Sequence, residues 1–202
     1  MSTHAPATAT QRLDVDGAIG IVTVAYPPVN ALSRSMRQAI IDGISAAQAH
    51  PDVQAIVFIC DGRTFLAGAD ITEFGKPPQA PSLYEAQDLI ENSTKPVIAA
   101  IHGTSLGGGL EVALCCHYRV AVPSAKCGLP EVHLGLLPGA GGTQRLPRIV
   151  GVPKALEFIT NGTHVPAKQC LEIGLVDAVV PEGQLRDGAV AFARQVLAEG
   201  RP

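Results

Sequence analysis

The sequence predicts an α/β fold. Short β-branched apolar runs recur along the chain, stretches with helical spacing separate them, and Gly or Pro marks many of the junctions. The chain has 202 residues, 47% hydrophobic and 16% charged, which suits one globular domain with a sizeable core rather than a disordered chain. No fixed-period repeat or low-complexity linker divides it.

The elements follow in order. Residues 1–11 are rich in Thr and Ala, lack an apolar run, and are expected to be a loose tail before a domain over residues 12–202. Residues 19–25 are apolar and β-branched and are stopped by Pro27-Pro28, so they read as a strand. Residues 33–48 place Met36, Ile40, Ile41 and Ile44 on one helical side. A buried strand is expected over 53–60, ended by Asp61-Gly62, then a small-residue loop over 65–72 and a mobile Pro-rich stretch over 74–81. Helical spacing returns over 83–92. Strands are expected at 96–101, 118–122 and 176–180. Helices are expected at 110–117, 143–149, 153–161, 167–171 and 185–198, with 131–137 loop-rich.

Composition excludes several functions. A net charge of -3, 4% aromatics and no Trp give neither a basic footprint for a duplex nor stacking platforms for single strands. No apolar run reaches the ~18 residues of a membrane span. The five cysteines are odd in number and form no C-x-x-C, so a disulfide framework or zinc site is not expected and a reducing cytosol is. Residues 1–11 do not read as a secretory signal, and the C-terminal residues carry no lipidation or peroxisomal address.

The chemistry-bearing run is His102-Gly103-Thr104-Ser105-Leu106-Gly107-Gly108-Gly109-Leu110-Glu111, which follows the strand at 96–101. Its glycines leave backbone N–H groups unshielded where a helix begins, which suits a developing oxyanion. Glu111, one turn further on, can project towards the same place. Glycines serving only close packing, with Glu111 complementing the helix dipole, remain an equal reading of this run alone. No Lys follows, so a phosphate-cradling P-loop is excluded, and the G-x-G-x-x-G dinucleotide pattern is absent. Gly103-Thr104-Ser105-Leu106-Gly107 matches the G-x-S-x-G nucleophile elbow and leaves a Ser105 esterase as a rival, with His133 or His164 as its base.

Four segments together resemble the crotonase (enoyl-CoA hydratase/isomerase) superfamily: Pro27-Pro28-Val29-Asn30-Ala31-Leu32-Ser33; Phe65-Leu66-Ala67-Gly68-Ala69-Asp70-Ile71; the run from Lys95 to Glu111; and Gly128-Leu129-Pro130-Glu131 on to Gly139. The continuation Gly141-Gly142-Thr143-Gln144-Arg145 is most similar to the N-terminal hydratase/isomerase part of multifunctional fatty-acid β-oxidation enzymes. The resemblance implies a spiral of ββα units. It implies Glu111 and Glu131 as the catalytic acid–base pair, and the N–H groups of Ala69 and Gly108 as the oxyanion hole. Ala67, Gly68, Asp70, Ile71 and Gly107 would lie along an acyl-CoA substrate. Gly139 would line the pocket near Glu131, where a side chain would collide with that substrate.

The implied activity is 2-enoyl-CoA hydration, with 3,2-enoyl-CoA isomerisation as an alternative or second activity and a non-catalytic acyl-CoA-binding or assembly module as another. No metal or other cofactor is implied, since coenzyme A is part of the substrate. Relatives have further helices after the position of Ala198, so the acyl wall is expected to be truncated. A homotrimer or hexamer, or an absent C-terminal dehydrogenase part, is implied as partner. Many relatives carry Lys where this sequence has Thr72, and Lys95, Lys76 or Arg63 are candidates to replace a phosphate contact there. Asp70 reads more readily as the cap of the following turn than as a ligand contact, His102 and His117 read as packing or hydrogen-bonding residues, and Cys115 and Cys116 as core residues.

Overall fold

A computed structural model describes residues 8–200. The strands are β1 (Thr10–Asp16), β2 (Ile19–Ala25), β3 (Ala55–Cys60), β4 (Val97–Ile101), β5 (Thr104–Leu106), β6 (Tyr118–Ala121), β7 (Lys126–Gly128), β8 (Val165–Pro166) and β9 (Ala178–Val179). The helices are α1 (Arg34–Ala49), α2 (Leu83–Glu91), α3 (Gly108–Cys115), α4 (Gly142–Val150), α5 (Val152–Asn161), α6 (Ala167–Glu172) and α7 (Leu185–Ala198), with 3₁₀ turns at Ile71–Glu73 and Pro130–Leu134.

The larger sheet has the order β1-β2-β3-β4-β6-β9. All its pairs are parallel except β1 with β2. A parallel sheet covered on both faces needs continuous apolar strands, and Ala55-Ile56-Val57-Phe58-Ile59-Cys60 supplies one. Helix α1 packs against β1 and β2, while α7 packs against β3 and β4.

A second layer runs beside this sheet. β5 pairs with β7 and β7 with β8, while single bridges join Leu32 to Ala69 and Leu66 to Ser105. Each parallel strand therefore feeds a short extended piece of the second layer before its helix: β2, Leu32, α1; β3, Leu66, α2; β4, β5, α3; β6, β7, and then α4. This is the expected spiral of ββα units. Among the described residues no helix is long and apolar enough to cross a membrane.

Several local expectations need correction. The tail expected over residues 1–11 lies mostly outside the described residues, but Thr10 and Gln11 belong to β1. That strand is an edge with little burial, so it lacks an apolar signature; its sequence marker is Asp16-Gly17, a hairpin dipeptide. The strand expected from residue 53 begins at Ala55, and the one expected at 176–180 shortens to β9. Strands β5, β7 and β8, of two or three residues, are too short to show periodicity. The Pro-rich stretch at 74–81 is fastened to α1, because the buried Arg37 donates to the carbonyls of Pro81, Gln79 and Leu32 and pairs with Glu73.

Asn30 is the fastener nearest the site. It is buried and sits at φ 54°, a region that asparagine tolerates better than most residues. Its side chain accepts from the N–H of Tyr26 at 2.7 Å and donates to the carbonyls of Asp61 and Thr64 at 2.9 and 2.8 Å. It thereby ties the 26–30 turn to the start of the 65–69 loop. Asn30→Ala would leave three backbone groups without this partner, and the expected destabilisation is about 2–4 kcal/mol. A denaturant titration checks it; a loss below about 0.5 kcal/mol would contradict the assignment.

Candidate active site

The 65–69 loop and the start of α3 converge. Gly68 at φ 106° turns the chain so that Leu32 N–H donates to Gly68 O at 2.8 Å, and the next N–H, that of Ala69, lies outside this pairing. Gly107 at φ 52° makes the matching turn, and Gly108 is the first residue of α3, where helical N–H groups have no acceptor within the helix. A Cβ placed on Gly108 would stand 3.8 Å from Ala69 N, so the two main chains nearly touch. A Cβ on Gly109 would overlap Leu66 O, so α3 rests directly on the loop's backbone.

Ala67, Gly68, Ala69, Ile71, Gly107, Gly108 and Glu131 line one cavity of about 180 Å³, with Phe74, Leu134 and Leu136 adding apolar surface. Larger hollows lie elsewhere, including one of about 540 Å³ beside α1 and β1, but they hold neither the paired amides nor Glu131, and Glu111 lies on the lining of none of these cavities. The smaller cavity is therefore the chemically equipped one.

Glu131 begins the 3₁₀ turn after Pro130, and its carbonyl accepts from Leu136 N–H, fixing its backbone. Its carboxylate lies against Gly107, where a Cβ would stand 3.2 Å from Oε1. Oε2 is buried and finds no protein partner among the described residues. Burial pushes the Glu131 carboxyl above its ordinary range, and the nearby charge of Glu111 adds to that.

Glu111 is 2% exposed. Its Oε1 accepts from Ala140 N–H at 2.7 Å and from Gly142 N–H at 2.8 Å, the latter at the N-terminus of α4. Burial raises its pKa; the two amides and the Arg145 guanidinium oppose that rise. Both amide bonds fall on one oxygen, which leaves Oε2 outside them.

Other expected residues fall elsewhere. Asp70 is not on the cavity lining and caps the 3₁₀ turn, accepting from Thr72 N–H at 2.9 Å. Gly139 does not line the cavity either: a Cβ there would meet only Leu137 O at 3.9 Å, and its carbonyl instead accepts from Tyr84 Oη. Lys95 donates to the carbonyls of Ala47 and His50 at the end of α1, which removes it as a phosphate contact. Ser105 lies within β5, wholly buried, with Oγ unpartnered among the described residues, so the elbow and its base are not formed. His133 Nε2 pairs with Asn161 O, His102 Nε2 with Gly62 O, and His117 Nδ1 accepts from Val97 N–H. Cys115 and Cys116 are buried, with thiol pKa values pushed up by burial, in the case of Cys116 to about 12. Sequence reasoning missed Tyr84, Gln87 and Arg145, which surround the Glu111 amides. Their marker is the 3-and-4 spacing of Tyr84, Gln87 and Glu91, polar positions on one face of α2.

The enoyl-CoA hydratase/isomerase family profile matches residues 14–202. The peroxisomal bifunctional enzyme of Danio rerio is 47% identical over 188 residues, 93% of this chain and 26% of that protein. A probable enoyl-CoA hydratase of Bacillus subtilis (strain 168) is 42% identical over 198 residues, covering 94% and 76% of the two chains. The crystal structure of an enoyl-CoA hydratase from Bacillus anthracis superposes with a TM-score of 0.83 at 32% identity, covering 94% of this chain and 77% of that one. This chain thus spans about a quarter of the bifunctional relative's length and about three quarters of that of the two Bacillus proteins. On fold, sequence and extent of match, the chain belongs to the enoyl-CoA hydratase/isomerase family.

Proposed function

We propose that this chain adds water across the double bond of 2-enoyl-CoA thioesters, as a step of fatty-acid β-oxidation. The observation that carries the reading is an apolar cavity lined by Glu131 and by Ala69 and Gly108, with the buried Glu111 carboxyl close enough behind it to act on Glu131 electrostatically. The thioester oxygen sits between the two N–H groups, which stabilise it as enolate charge develops. Glu111, held by two amides and facing Arg145, serves as the ionised base that removes a proton from water as its oxygen bonds to C3. Glu131, whose proton is favoured by burial and by the charge of Glu111, donates to C2. Water supplies the hydroxyl at C3; the proton it gives to Glu111 is returned through solvent to Glu131, replacing the one delivered to C2, so the cycle balances with no metal or redox cofactor.

A second reading, 3,2-enoyl-CoA isomerisation, is favoured by one observation: Glu131 lines the cavity while Glu111 is not part of its lining. A single carboxylate can carry a proton from C2 to C4. Product analysis with a 3-enoyl-CoA separates the two. Family membership supports an acyl-CoA as the ligand, and the greater length of the bifunctional relative fits association with a dehydrogenase part, with a homotrimer or hexamer as the alternative assembly. Five buried free cysteines support a reducing compartment, of which the expected cytosol is one.

Mixing with crotonyl-CoA is expected to bleach the enoyl absorbance. Glu111→Gln and Glu131→Gln are each expected to lower kcat by about 100-fold or more. Tight binding with no turnover would instead make the chain a binding module. Because both carboxyls titrate above the ordinary range, the acid limb of kcat/KM is expected above the usual glutamate value. A limb at or below that value would contradict the assignment.

Burial also links Glu111 to stability. The folded chain holds the Glu111 proton more tightly than the unfolded chain does. Its favourable contribution is therefore full below the ordinary carboxylate range and is lost as pH rises through the raised value. Glu111→Gln keeps the accepting oxygen and removes the charge, so its Tm at pH 8 is expected to equal or exceed that of the parent; a clearly lower Tm would count against the buried-charge account.

A further inference from the structure

We propose that helix α2 positions the Glu111 carboxylate, with Tyr84 and Gln87 fixing the 139–141 backbone whose amide grips it. The proposal rests on the hydration reading above. Glu111 does not touch α2 through any bond described here; the connection runs through two consecutive peptide groups. The peptide between Gly139 and Ala140 presents its carbonyl to Tyr84 Oη, 2.5 Å away, and its N–H to Glu111 Oε1, 2.7 Å away. A peptide group is planar and its C=O and N–H point oppositely, so fixing the one aims the other. A donor on the carbonyl also strengthens the N–H as a donor. The next carbonyl, Ala140 O, accepts from Gln87 Nε2 at 2.8 Å and from Arg145 Nη1 at 3.2 Å.

Arg145 is itself held to α2 by a two-point pair with Glu91, at 2.9 and 2.6 Å. Tyr84, Gln87 and Glu91 are spaced three and four residues apart, so all three reach this segment from one side of the helix. The helix is anchored at its start by a capping box between Ser82 and Glu85. Gln87 has no solvent exposure; its Nε2 is bonded while its Oε1 finds no partner among the described residues, so the buried amide is costly there. An apolar residue would pack in that place more cheaply. What the amide adds is a donor aimed at the Glu111 loop.

The charged groups facing Glu111 are Arg145 from α4 and Glu131 from the 3₁₀ turn, with Glu91 on α2 acting through Arg145. Loosening the loop withdraws amide support from the carboxylate and leaves burial to dominate, which drives the pKa up.

The test measures kcat, KM and the pH profile of crotonyl-CoA hydration for Tyr84→Phe and Gln87→Met, with Glu111→Gln alongside. Tyr84→Phe is expected to lower kcat about 3- to 10-fold and Gln87→Met about 10-fold or more, with KM little changed and the acid limb moved to higher pH. A purely structural role would lower Tm and leave kcat per folded molecule and the acid limb where they were. That result overturns the proposal. Should Gln87→Met fail to fold, Tyr84→Phe decides alone, since Tyr84 is 55% exposed and its loss does not open the core. Glu111→Gln separates the two levels. If it hydrates at the parent rate, the proposed function fails. If it is inactive while both α2 variants behave as the parent, the positioning proposal fails by itself.

Discussion

A carboxyl group buried as fully as that of Glu111 can ionise only where donors replace its water. Here the donors are two amides of one short glycine-rich segment, and much of the surrounding structure serves to present them. Helix α4 begins at the second amide, so the positive end of its dipole also faces the charge. Arg145 reaches back from α4 to the same segment, and Glu91 on α2 fixes Arg145 in turn. The arrangement does not cancel the cost of burial: the proton remains held above the ordinary range. A carboxyl whose pKa is raised in this way is a stronger base, once ionised, than an ordinary glutamate.

The second layer of the fold brings the other half of the site to this carboxylate. Each ββα unit leaves the large sheet and crosses into a short extended piece, and the pieces pair side by side. Leu66 bridges to Ser105, so the Ala69 turn and the Gly107 turn are neighbours by sheet registry rather than by chance of loop packing. Gly107 N–H donates to Gly128 O, and the chain then runs through Leu129 and Pro130 to Glu131. Three ββα units thus contribute four groups: an amide from the second, an amide and Glu111 from the third, and Glu131 from the fourth. Asn30, in the first, fastens the strand ends that precede the first of these turns.

The parts legible in the sequence are those with a local cause. Apolar runs marked the buried strands, and α7 fell over Leu185–Ala198 as its spacing foretold. The glycine turn was readable as an amide-rich helix start, yet the same residues also fit a serine elbow. Only the placement of Ser105 inside β5 removes that reading, because strand pairing turns its side chain into the core. Edge strand β1 was not legible because little of it is buried, and β5, β7 and β8 were not because two or three residues show no periodicity and their pairing partners lie about 20 or more residues away. Gly139 was misplaced for a related reason. Its neighbourhood in sequence suggested the cavity, but Tyr84, 55 residues earlier, determines where its carbonyl points.

The central claim is that the amides of Ala69 and Gly108 hold the thioester oxygen between them. The vibrational frequency of that carbonyl reports this directly. Crotonyl-CoA labelled with ¹³C at the thioester carbon can be bound to the Glu131→Gln variant, where turnover is expected to be slow, and its isotope-edited infrared band compared with that in water. Two converging N–H donors in a site shielded from water polarise the bond, so the band is predicted to move to lower frequency. A bound thioester whose carbonyl band stays at its position in water would contradict the account.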